Sequence, residues 1–116
     1  MAEEADFISQ HKYPIFFARD IYNHSEWMQE VVAMLPENIY ITFDIDALDP
    51  SIISHTGTPE PGGLSYYNVL NLFEAINQSG KNIIGFDLVE YAPSDNSTAE
   101  TFTCAKIIYK MIGLFF

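Results

Sequence analysis

Two runs of the sequence, NIYITFDI from Asn38 to Ile45 and NIIGFDLVEY from Asn82 to Tyr91, are nearly continuous in apolar, β-branched and aromatic residues. A strand with one wet face alternates apolar and polar residues. Runs without that alternation suit strands covered on both faces, as in a parallel sheet. A third run, PIFFA from Pro14 to Ala18, reads the same way. Helical spacing fills the gaps between them. A short helix is expected over Glu3 to Gln10, and a second carries Trp27, Val31 and Met34/Leu35 behind Ser25 as N-cap. A third runs behind Ser65 with Tyr66, Leu70, Phe73 and Ile76 on one face, and Gly80 stops it. The last follows Ser97 and Glu100, which fit a capping box, and carries Phe102, Ala105, Ile108/Tyr109 and Ile112. Strands separated by helices predict right-handed crossovers and a parallel sheet. Three strands make a narrow sheet whose edges need cover.

A chain of 116 residues is expected to form one segment of a single domain, residues 1–116. With 48% hydrophobic residues it has the material for a core, which excludes disorder. Sixteen acidic against 5 basic residues give a net charge of −11. That surface repels phosphate backbones and anionic lipid, so neither nucleic acid nor membrane is an expected partner, whereas a cation is compatible. Cys104 is the single cysteine and lies in an apolar helical pattern, so it reads as a core thiol. The acidic N-terminus lacks the pattern of a secretory signal, and a cytoplasmic protein is expected.

The chemistry concentrates in TFDIDALDP, where Asp44, Asp46 and Asp49 fall within six residues behind an apolar run. In an extended strand Asp44 and Asp46 would share a face, roughly 6–7 Å apart. Ligands of open α/β sheets bind beyond the carboxyl ends of strands. Two adjacent carboxylates repel unless a cation compensates, and hard oxygen donors suit Mg²⁺ or Mn²⁺. The plainer alternative is that all three aspartates cap turns. Asp49 precedes Pro50 and reads as a loop-shaping residue. Glu90, near the end of the second run, is placed to reach the same crevice. The long Pro- and Gly-rich stretch from Asp49 to Leu64 is of the kind that usually carries function.

Taken in order, TFDIDALDP, TGTPEPGG at Thr56 to Gly63, a helix, and GFDLVEYAPSD with a closing helix resemble the ureohydrolase family of arginases and agmatinases. FFARDI and its helix look agmatinase-like. The resemblance implies a three-layer α/β/α fold with a parallel sheet, of which this chain would be a C-terminal part. It implies two Mn²⁺ ions in the complete enzyme, Asp44 bridging them and Asp46 ligating one. Glu90 would take the substrate guanidinium, and the TGTPEPGG loop with Thr58 would shape the pocket rim. The implied reaction is attack of a metal-bridging hydroxide on a guanidinium carbon, releasing urea and an amine from an agmatine-like substrate. His55 stands where the family usually has a small residue. It is a candidate at the pocket mouth, and a solvent-facing loop histidine is the plainer reading.

The family's GGDHS-like and DAHxD-like motifs do not occur in this sequence; its three histidines are His11, His24 and His55. The expectation is therefore a chain that is not a competent hydrolase alone, with no catalytic residue of its own assigned. Such a chain would expose apolar surface and form homo-oligomers, or persist as a self-associating fragment. Asp-x-Asp behind an apolar strand also resembles haloacid-dehalogenase-type phosphatases. There Ala47 and Leu48 are the wrong following residues, and TGTPEPGG has no explanation.

Overall fold

The computed structural model describes residues 2–116. Its elements are α1 (Ala2–His11), α2 (Ala18–Asn23), α3 (Trp27–Met34), β1 (Asn38–Asp44), a 3-10 turn (Ile45–Ala47), α4 (Tyr66–Gln78), β2 (Asn82–Val89) and α5 (Thr98–Phe115). β1 and β2 pair in parallel, with Asn38 opposite Asn82 and Asp44 opposite Val89, and the register shifts between Ile39 and Tyr40. The α4 crossover between them follows the expected βαβ pattern.

The expected strand over Pro14 to Ala18 does not form. Residues 14–17 are irregular and Ala18 opens α2. Pro14 has no N–H to give a ladder, and no described strand lies beside the run to accept the others. The carbonyl of Phe17 instead takes the N–H groups of Asp20 and Ile21 (2.9 and 3.0 Å) and starts the helix. A short apolar run reads alike as strand or as exposed segment, and here Ile15 and Phe17 are exposed.

Inward residues of the sheet face three helices on one side. Phe43, Ile45, Leu48 and Ile53 pack with Val69 and Phe73 of α4 and with Cys104, Ile107 and Met111 of α5. The Phe73 ring meets Phe43 edge-on at 5.7 Å and Phe115 at 6.0 Å between centroids. A smaller cluster joins Ile39, Ile76 and Ile83, with Val32 and Leu35 against it. The opposite sheet face carries Thr42, Asp87, Tyr40 and Ile84, the last two 55% and 63% exposed. Tyr40 and Thr42 both donate to the Asp87 carboxylate, at 3.1 and 2.7 Å. The described residues thus supply the sheet and one helical layer.

Helix ends separate correct from incorrect capping signals. Ser65 and Asn68 form a reciprocal capping box on α4, and Gly80 ends that helix at φ +73°. Ser25 does not cap α3, whose N-cap position is Glu26 without a side-chain bond. Ser97 stands at the start of α5 but makes no cap. Its hydroxyl donates to the Ser94 carbonyl (2.7 Å) and accepts the Ser94 N–H (2.8 Å), closing the preceding turn. Its expected partner Glu100 points elsewhere, as described below.

α1 and α2 bury no residue. The radius of gyration is 15.0 Å, against about 13 Å for a compact chain of 100 residues. Cys104 is buried as expected, and that burial raises its thiol above the usual range. No helix among the described residues is long and apolar enough to cross a membrane.

Candidate functional site

Asp44 and Asp46 do not lie on one pleated strand. β1 ends at Asp44, and the chain turns into the 3-10 segment. The pair converges because Asp44 caps that turn, accepting the Asp46 N–H on Oδ1 at 3.2 Å. The turn points inward through Ile45, fully buried, so the corner is anchored in the core.

The two carboxyl groups face each other and Glu90 adds a third charge. Burial raises the Asp44 carboxyl above its usual range. The Asp46 N–H opposes the shift, while the Asp46 carboxyl and the Glu90 charge add to it. Glu90 follows the last residue of β2 at φ +66°, a left-handed conformation that costs a non-glycine residue about 1–2 kcal/mol. Thr58, across the loop, donates its hydroxyl to Asp46 Oδ2. Asp44, Asp46, Thr58 and Glu90 are therefore gathered at the carboxyl ends of the two strands, where ligands of parallel sheets bind.

Asp49 behaves as a loop-shaping residue. One oxygen accepts Ser51 N–H and Oγ (3.0 and 2.6 Å), and the other accepts Gly62 N–H at 3.0 Å, which lowers its pKa. The neck of this loop is closed by Leu64 N–H to the Ala47 carbonyl (2.8 Å) and Asp49 N–H to the Leu64 carbonyl (3.0 Å). Gly63 permits that approach, since a Cβ there would lie 2.6 Å from Leu48 C and Asp49 N. Turn capping, the alternative weighed for all three aspartates, is thus realised at Asp44 and Asp49, and it leaves the Asp44–Asp46–Glu90 repulsion in place.

The His55 side chain is 31% exposed and its ring hydrogen bonds go to neither Asp44 nor Asp46. Its Nδ1 donates to Glu100 Oε2 at 2.7 Å, and its Nε2 lies 2.8 Å from Ser94 Oγ. In sequence Ser97 and Glu100 read as a capping box, but the Glu100 carboxylate takes its donors from Ser54 and His55 instead. The signal that distinguishes it is three-dimensional, a carboxylate taking donors from a segment forty-five residues away.

A cavity of about 390 Å³ lies between α2 and Gly62–Leu64, lined by Phe16, Ile21, Tyr22 and Trp27 among others. None of Asp44, Asp46, Thr58 or Glu90 lines it.

A family model described as "Arginase family" matches residues 1–113. The chain belongs to the arginase family. Membership decides against the phosphatase alternative. The N(1)-aminopropylagmatine ureohydrolase of Synechocystis sp. is 40% identical over 112 residues, 96% of this chain and 36% of that protein. The agmatinase of Pyrococcus horikoshii is 35% identical over 112 residues, 97% of this chain and 38% of that protein. The structure of the arginase from Bacillus caldovelox superposes with a TM-score of 0.83 at 26% identity, over 97% of this chain and 40% of that one. The fold is the arginase-like α/β fold, and the chain spans less than two fifths of these two relatives' length.

Oxygen donors of the kind Mn²⁺ takes are present, but the set is incomplete. Among the described residues no three His, Cys, Asp or Glu side chains gather so as to hold a metal ion. The described side chains thus fit a manganese centre in kind and not in number.

Proposed function

We propose that this arginase-family chain forms part of a manganese-dependent ureohydrolase that cleaves a small guanidino compound to urea and an amine. Agmatine-like guanidino amines are the substrate class, in keeping with the named activities of the Synechocystis and Pyrococcus relatives. The observation that supports this reading is the Asp44–Asp46 pair at the end of β1, where burial first, and then the Asp46 and Glu90 carboxylates, raise the Asp44 carboxyl. Asp44 and Asp46 are the metal-ligating carboxylates. Thr58 orients Asp46, and Glu90 accepts N–H groups of the planar guanidinium through charge-assisted hydrogen bonds. Among the described residues no three His, Cys, Asp or Glu side chains gather to hold a metal, which supports reading the isolated chain as not competent as a hydrolase.

Calorimetric titration with Mn²⁺ tests this. Weak binding by the wild-type chain that disappears in Asp44→Asn/Asp46→Asn is expected. Identical heats for both proteins would overturn the metal assignment. Tight uptake of two ions per chain would overturn the incompleteness.

A second reading, a non-catalytic self-associating chain, is favoured by the outward sheet face with Tyr40 and Ile84. Sedimentation at several concentrations decides it. Concentration-dependent homo-oligomers that vanish in Ile84→Lys support that face as the contact. We place the protein in the cytoplasm, where a buried unpaired thiol such as Cys104 is at home.

A further inference from the structure

The Glu100 carboxylate sits on α5, outside the acidic corner, and four donors converge on it. Oε1 accepts Ser54 N–H at 3.0 Å and Ser54 Oγ at 2.8 Å. Oε2 accepts His55 N–H at 3.0 Å and His55 Nδ1–H at 2.7 Å. The side chain is 16% exposed. Burial pushes its carboxyl up, but the bonds from Ser54 and His55 outweigh it and hold the group at about 2.

His55 extends the arrangement to a second loop. Its carbonyl accepts Ala92 N–H at 2.9 Å, and its Nε2 meets Ser94 Oγ at 2.8 Å. The loop on one side continues three residues to Thr58, which holds Asp46. The loop on the other side begins at Glu90, two residues before Ala92, in its left-handed conformation. One carboxylate and one imidazole therefore join the two loops that place Thr58 and Glu90.

We propose that Glu100 and His55 are a positioning pair for the candidate site, clamping both loops so that Thr58 and Glu90 are held at fixed places beside Asp44 and Asp46. Calling what they serve a substrate site rests on the ureohydrolase reading; the clamp itself does not. Neither residue touches substrate. Both imidazole nitrogens are engaged, which assigns His55 a supporting role in place of a contact at the pocket mouth. Nδ1 carries a proton, since it faces a carboxylate that can only accept, and Nε2 lies within hydrogen-bond distance of the Ser94 hydroxyl. Coupling of this kind, through an outer residue that orients an inner one, typically changes the affinity of a metal site 10–100-fold.

The test is ¹⁵N NMR on the metal-free chain and on Glu100→Gln, His55→Ala, His55→Asn and Ser94→Ala. In the wild type, the ring ¹⁵N shifts are expected to report a protonated Nδ1, and residues 54–58 and 90–94 to be as ordered as β1. Glu100→Gln leaves the amide oxygen to serve donors from two residues. It is expected to lower the heteronuclear NOE in both loops, Thr58 and Glu90 included, and to mix the tautomers, with the α5 amides unmoved. His55→Asn keeps a donor for Glu100 and is expected to restore order at residues 54–58 relative to His55→Ala. If Glu100→Gln does not fold, Ser94→Ala, which keeps every bond to Glu100, still tests the link to the second loop. It is expected to shift the Glu90 and Ala92 amides. Thr58 and Glu90 signals unchanged in the folded variants, or an Nε2–H tautomer in the wild type, would overturn the proposal. Failure of the Mn²⁺ control at Asp44 and Asp46 would overturn the metal reading separately, since the loop measurements need no metal.

Discussion

Two carboxylates of the fold have opposite fates. Glu100 receives four hydrogen bonds and is held at about 2, whereas Asp44 receives one backbone N–H and is raised by burial and by its acidic neighbours. Both stand on rigid elements, one on a long helix and the other at the end of β1 anchored by Ile45. The difference is that Glu100 is satisfied by this chain's own donors. Asp44 has one N–H donor from this chain and two acidic neighbours. A structural acid lowers its pKa by gathering N–H and O–H groups, and a ligating acid keeps its lone pairs free and tolerates repulsion until the ion arrives.

The contrast is most sharply broken by mutation. Glu100→Ala removes the acceptor for Ser54 and His55 and is expected to destabilise the chain by roughly 2–4 kcal/mol, because partly buried donors lose their partner. Asp44→Asn has the opposite sign. An amide oxygen still accepts the Asp46 N–H, and loss of the unfavourable charge is expected to leave stability unchanged or raise it by up to about 1 kcal/mol. Urea denaturation of the two variants beside wild type measures both. If Asp44→Asn costs as much as Glu100→Ala, the two acids are not different in kind.

Gly63→Ala tests the neck that carries the Asp49–Leu64 loop. Its Cβ would strike backbone atoms, not a flexible side chain, and a loss of about 1–3 kcal/mol is expected in the same assay.

The pH dependence sharpens the comparison further. The folded value of Glu100, about 2, lies below its ordinary 4.5, so its contribution is complete above 4.5 and lost as pH falls toward 2. Asp49, also lowered, acts in the same sense. Asp44, raised, acts oppositely: acidification through its titration relieves repulsion. Stability of the wild type is therefore expected to fall across the acid range, and Glu100→Gln to flatten that fall. An identical slope in both proteins would remove Glu100 from the account.

The smallest effect concerns Ser97. Its hydroxyl closes the Ser94 turn without capping α5, so Ser97→Ala is expected to cost about 1 kcal/mol. The loosened amides are expected at Ser94, not in the first turn of the helix.

These contrasts also mark where sequence reading ends. The β1–α4–β2 unit, the Ser65 cap, the Gly80 stop and the acidic corner were legible because each rests on local pattern or a family motif. Pro14–Ala18 was misread as a strand since apolar content does not say whether a pairing neighbour exists. The pair Asp44/Asp46 was anticipated on one pleat, but a turn brings it together, and period-2 logic ends where the strand does. Ser97 and Glu100 matched a capping box, yet Glu100 follows a distant loop. Local spacing cannot rank a helix N-terminus against donors forty-five residues away.

The most direct test of the central claim, that the Asp44–Asp46 corner is built for a cation, is residue-resolved ¹H–¹⁵N line broadening during Mn²⁺ titration. Broadening centred on Asp44, Asp46 and Glu90, and absent in Asp44→Asn/Asp46→Asn, is the expected result. Broadening no greater there than around the exposed acids Glu3 and Asp6 of α1, or unchanged by the double substitution, would contradict it.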